Sequence, residues 1–195
     1  GGQVTSTGTG ATAAGITVNG TGGTGSEENF GVDIESDNGA TVTHIASAEG
    51  DITITGNGGT GGSNNRGVNV IENGAVQIGI GAMSVTGVAG DGNSAGVRLS
   101  PLTGGKLLAN GAGSISVTAT SAGTEADFQA GADSLIGDGT GVGLGTAASG
   151  PITINANTVE LSGTLAVKST AGALTIQPRT TATTIGLGGG TGTLN

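Results

Sequence analysis

The chain has 195 residues, of which 44 are Gly; it contains two Phe, no Trp, Tyr or Cys, three Pro, and carries a net charge of −9. This composition excludes a core built on aromatics and a disulfide or thiolate-metal scaffold. With five Lys plus Arg spread along the chain, it also excludes a basic stripe for nucleic acid or an anionic membrane. No apolar run approaches the roughly 18 residues of a membrane span. Glycine without a G-X-Y period rules out collagen, and the scarcity of Pro rules out a polyproline linker.

The opening GGQVTSTG (1–8) reads as a short strand whose counterparts come later, so the sequence is expected to begin partway through a repeat. GITVNG (15–20) follows, with Ile16 and Val18 alternating with Thr17 and Asn19, as a half-buried strand requires. The acidic stretch EENFGVDIESD (27–37) holds a second strand, GVDI (31–34). In it Val32 and Ile34 face inward, while Asp33 and Glu35 face a solvated wall. ATVTHI (40–45) is a third strand, and the single histidine, His44, is read there as a strand-end residue.

From residue 51 the three runs return in the same order. The first recurs as DITITG (51–56), AMSVTG (82–87), SISVTA (114–119) and PITINA (151–156). The second recurs as GVNV (67–70), GVRL (96–99) and more weakly ADFQA (126–130), and the third as GAVQIGI (74–80) and GKLLAN (105–110). The leading apolar residues Ile16, Ile52, Met83, Ile115 and Ile152 lie 36, 31, 32 and 37 residues apart. Strands this short do not fold alone, but three per repeat at a thirty-odd-residue period stack into a solenoid.

The predicted fold is therefore all-β: a parallel β-helix of about six coils, each with three short strands joined by Gly/Asn-rich corners. At about 4.8 Å per coil it would stand roughly 30 Å tall. Residues 1–150 are expected to form long-loop coils with repeats starting near 15, 51, 82 and 114. Residues 151–195 are expected to continue the same cylinder with shorter loops, since Ile152 and Leu174 are only 22 apart. Glycine is assigned to corners needing positive φ and to close approach between rungs.

The outward positions of the first strand are Thr17 and Asn19, Thr53 and Thr55, Ser84 and Thr86, Ser116 and Thr118, Thr153 and Asn155. Stacked, they make two files of hydroxyls and amides. These files resemble the Thr arrays of ice-binding β-solenoids, and they are the candidate surface for ice or a glycan, beside the plainer reading that Thr and Ser suit an outer β wall. Asp33, Asn69 and Arg98 fall at equivalent places and are expected to form an outer column.

Catalytic, metal and cofactor sites are not expected. The fourteen acids scatter along the chain, and His44 has no serine–acid partner at a recognisable spacing. The GDG elements in GVAGDGNSAG (87–96) and GDGTGVG (137–143) lack the tandem nonapeptide period of calcium-binding solenoids. Loops such as GNGGTGG lack the GK[ST] ending of a phosphate cradle.

The pattern ITITGxGGxG…NxxGVxI, together with LTIQPRTTATTIGLGGGTGTLN (174–195), resembles the repeat arrays of giant bacterial surface exoproteins related to filamentous haemagglutinin. The resemblance implies a right-handed β-helix exported through a two-partner or autotransporter route. It also implies work as a non-enzymatic stalk or fibre at the cell surface or outside the cell. The amino-terminal secretion domain of that family is not in this sequence, and the array is expected to continue in a longer parent protein. Expected partners are the neighbouring repeats of the same solenoid, with end-to-end self-association and a host or cell-surface glycan as further readings. Nucleic acid and membrane insertion are not expected.

Overall fold

The computed structural model describes residues 2–36, 44–99, 104–139, 147–162 and 166–181. These form a parallel β-helix of three sheets. The first is built from β2 (Ile16–Thr21), β5 (Ile52–Asn57), β8 (Ala82–Val88), β11 (Ser114–Thr120), β14 (Ile152–Asn155) and β17 (Leu174–Gln177). The second contains β3 (Val32–Glu35), β6 (Val68–Ile71), β9 (Val97–Leu99), β12 (Phe128–Ala130) and β15 (Val159–Leu161). The third contains β1 (Gln3–Ser6), β4 (His44–Ser47), β7 (Ala75–Ile78), β10 (Lys106–Ala109), β13 (Leu135–Asp138) and β16 (Ala166–Lys168). Each strand pairs in parallel with the strand three elements before or after it, so one coil is one turn through all three sheets.

The register stacks like upon like. On the first sheet Ile16, Ile52, Met83, Ile115, Ile152 and Leu174 form one inward file, and Val18, Ile54, Val85, Val117, Ile154 and Ile176 form the next. On the second sheet Val32, Val68, Val97, Phe128 and Val159 align. Ile45, Val76, Leu107, Ile136 and Val167 align on the third. The central members of these files are fully buried. Burying one such side chain is worth about 1.5–3 kcal/mol, so the files, repeated over the coils, supply the cohesion that aromatics give other cores.

Glycine serves close approach more than positive φ. At the corner between the first and second sheets, Gly20, Gly56 and Gly87 stack in register. A Cβ on any of them would lie 1.9–2.2 Å from the carbonyl oxygen of Gly31, Gly67 or Gly96, the residues that open the second-strand runs. Left-handed φ at other corners is shared with Glu28, Asn64, Glu72, Asn73 and Asp133.

Of the third strand expected at 40–45, the described part lies in β4, His44–Ser47, placed by the pairing of Ile45 with Val4 and Val76; residues 37–43 lie outside the described residues. The run SLIGD supplies β13, a third strand not expected from the repeat pattern, because Asp138 stands in the register position that Ile78 and Ala109 fill in the coils before it. Gly137 has φ +98, and a Cβ there would meet the Lys168 carbonyl oxygen at 2.0 Å.

The glycine corner gives a paired expectation for chemical denaturation. Gly56→Ala should cost about 3 kcal/mol by overpacking against Gly67. Gly23→Ala, with nothing within 4 Å of the added methyl, should stay within about 0.5 kcal/mol of the parent. Equal costs at the two positions would contradict this account of the corner.

Candidate binding surfaces

Each sheet presents a different outer chemistry. On the first sheet the structure aligns Thr17, Thr53, Ser84, Ser116 and Thr153 in one file, extended by Thr175. It aligns Asn19, Thr55, Thr86, Thr118 and Asn155 in the other, extended by Gln177. Thr17, Asn19, Thr53, Ser84 and Gln177 are exposed, and the other members are half-buried. Asn155 donates to the Thr118 hydroxyl at 3.5 Å, and Gln177 donates to the Asn155 carbonyl. The files are thus a continuous polar wall of mostly short side chains.

The second sheet is charged. Asp33, Asn69, Arg98, Gln129 and Glu160 occupy one register column, which adds Gln129 and Glu160 to the three positions expected from the sequence. Asn69 Nδ2 donates to Asp33 Oδ1 at 2.8 Å, and Gln129 Nε2 donates to Glu160 at 3.2 Å and also to Glu125. Arg66, just before β6, lies beside this column. Its guanidinium carbon sits 5.5 Å from the centre of the Phe30 ring, and Nη2 donates to Asn64 Oδ1 at 2.8 Å. Burial lowers the Arg66 pKa to about 10, and the neighbouring Arg98 charge pushes it the same way. Burial holds the Asp33 carboxyl above its ordinary value, opposed by the Asn69 hydrogen bond and the charge of Arg66.

The corner that leads into the second sheet contains a polar ladder that strand periodicity does not reveal. Asn29 N and Nδ2 donate to Asn65 Oδ1 at 3.0 and 2.9 Å, and Asn65 N donates to Ser94 Oγ at 2.7 Å. Asn65 Nδ2 donates to Gly61 O and to Asp91 Oδ1, the latter also accepting from Gly61 N. The carboxylate of the first GDG element therefore ties one coil to the next. One coil on, Asp127 accepts from Ser121 N and Oγ and from Asn157 N. These hydrogen bonds outweigh burial and lower its pKa. The signal available in the sequence was the Asn, Ser or Asp that precedes each second strand by a few residues.

On the third sheet the outward positions Ala75, Leu108 and Leu135 are buried, and so is Lys106. Lys106 Nζ donates to Asn73 Oδ1 and to Gly104 O, both at 2.9 Å, and burial lowers its pKa. His44 opens β4. Among the described residues, no group of three or more His, Cys, Asp or Glu is arranged to hold a metal ion, and no helix is long and apolar enough to cross a membrane.

Neither family models, nor curated proteins, nor solved structures give a match to this chain.

The raised Asp33 pKa has a definite sign. Charge on this group is disfavoured in the folded state, so it costs stability above the unfolded carboxylate pKa of about 3.9, and the cost vanishes below that pH. Asp33→Asn, which keeps an acceptor for Asn69, should raise the melting temperature at pH 7, with the gain fading as pH falls through 4. A lower melting temperature at pH 7 would refute the assignment.

Proposed function

We propose that the chain is a stalk or fibre segment of a large secreted or cell-surface bacterial adhesin-like protein, with mechanical rather than enzymatic work. The observation that carries this reading is the unbroken register of every sheet from coil to coil. Backbone pairing along the axis makes the coils one cohesive rod, and polar ladders reinforce a corner. A spacer needs that continuity and no reactive centre. The repeat pattern similar to the haemagglutinin-type exoproteins supports the same placement outside the cell.

A second reading draws on the two hydroxyl and amide files of the first sheet. Their constant rung spacing, about 4.8 Å, presents a periodic wall suited to ordered water or to a flat glycan face.

The two readings separate experimentally. For a surface stalk, antibodies against this chain should label intact cells of the source organism without permeabilisation. Labelling that requires permeabilisation would overturn that placement. If the wall acts on ice, the purified chain should inhibit ice recrystallisation, and Thr53→Lys with Thr86→Lys should abolish the effect. A plain stalk leaves ice growth unchanged in both forms.

A further inference from the structure

The outer face of the second sheet carries a feature that a spacer does not require. Two adjoining depressions, of about 480 and 390 Å3, share Asn64, Arg66 and Arg98 as a common wall. The larger extends past Phe30 and Asp33 toward Glu72, and the smaller past Gln129 toward Glu160. Together they make a trough along the register column. Four rung spacings separate Asp33 from Glu160, about 19 Å.

Three observations define what fits there. First, the Arg66 guanidinium is hydrogen-bonded to a neutral amide oxygen and lies over an aromatic face; the Arg98 guanidinium is near enough to oppose its charge, while the charges of Glu28, Glu125 and Asp33 favour it. Two cations turned to one wall are suited to a planar anion, which guanidinium groups bind through paired hydrogen bonds. Second, Asn69 at the floor is 1% exposed, and its Oδ1 has no hydrogen-bond partner, although Nδ2 is satisfied by Asp33. A buried acceptor left unpaired is costly and rare, and it marks a place for a donor. Third, carboxylates flank the arginines on both sides, at Glu28, Asp33, Glu35 and Glu72 in the larger depression and at Glu125 and Glu160 in the smaller. They repel a dense polyanion and accept hydrogen bonds from hydroxyls.

We propose that this trough binds an acidic oligosaccharide laid along the helix axis, with a sugar carboxylate between Arg66 and Arg98 and its hydroxyls on the carboxylates and amides of neighbouring rungs. Isolated negative charge among many hydroxyls matches the alternation of the lining. A sulfated glycan or nucleic acid does not, because its charges would face the flanking acids. The site lies on a different sheet from the Thr and Ser files and does not depend on the stalk reading.

Isothermal titration of the whole chain with a hyaluronan hexasaccharide, a chitohexaose and a heparin hexasaccharide tests this. The hyaluronan fragment should bind, and the neutral and sulfated sugars should bind at least about tenfold more weakly. Arg98→Gln, at a half-exposed strand position, should weaken hyaluronan binding at least about tenfold with an unchanged circular dichroism melt. Thr53→Val with Thr55→Val should leave it intact. Absence of hyaluronan binding, equal affinity for chitohexaose or heparin, or full affinity in Arg98→Gln would overturn the proposal. Loss of binding in the Thr double variant would move the ligand to the first sheet and overturn it equally.

Discussion

The structure depends on one constraint: each aliphatic side chain inside the cylinder must sit over the aliphatic of the coil before it. Parallel pairing enforces this, because the backbone hydrogen bonds that join Ile54 to Val85 also fix which face every other residue of those strands takes. A slip of one residue would put Thr53 and Thr55 into the core and Ile52 and Ile54 into water, reversing the whole strand. With two Phe in the chain, only one of which, Phe128, is fully buried, cohesion comes from many medium-sized contacts of equal rank.

Register at the walls then governs the corners. The strand ends of the first and second sheets approach so closely that Gly56 lies against Gly67, and the same pair recurs as Gly20 with Gly31 and Gly87 with Gly96. In the next coil the first-strand position is Ala119, and Asp127 takes the place before Phe128, so glycine is required where two backbones touch and not by the repeat as such. Where the corners open, side-chain amides and carboxylates bond across coils. Asn65 reaches both Asn29 and Asp91, spanning three successive turns. The same rule that builds a rod from short strands therefore builds files on its outside: hydroxyls on one face, charges on a second, and a largely buried set around Lys106 on the third.

The strand positions were legible in the sequence because period-two alternation is a property of single residues. Ile52 and Ile54 against Thr53 and Thr55 announce a half-buried strand without reference to anything distant, and the return of the pattern thirty-odd residues later gives the stacking. The column of Asp33, Asn69 and Arg98 was legible for the same reason, since equivalent positions in a solenoid become neighbours. The trough beside it was not. It depends on Arg66, a corner residue outside any strand pattern, folding over Phe30 from the preceding coil. Nor was the role of Asp91, which stands in the sequence as an isolated GDG element and whose carboxylate bonds Gly61 and Asn65. Corner geometry is set by loops of unequal length, and periodicity carries no information about where their side chains end.

Because the chain contains no cysteine, its register is open to direct measurement by introduced cysteine pairs on the exposed wall. Thr53→Cys with Ser84→Cys places the two thiols on directly opposed residues of adjacent coils, about 4.8 Å apart at Cα and within disulfide range. Thr53→Cys with Thr86→Cys places them one diagonal step away, about 8 Å apart and beyond that range. Mild oxidation should cross-link the first pair rapidly within a single chain and leave the second pair reduced. Rapid cross-linking of the diagonal pair, or failure of the opposed one, would contradict the stacked register from which the fold, the files and the trough all follow.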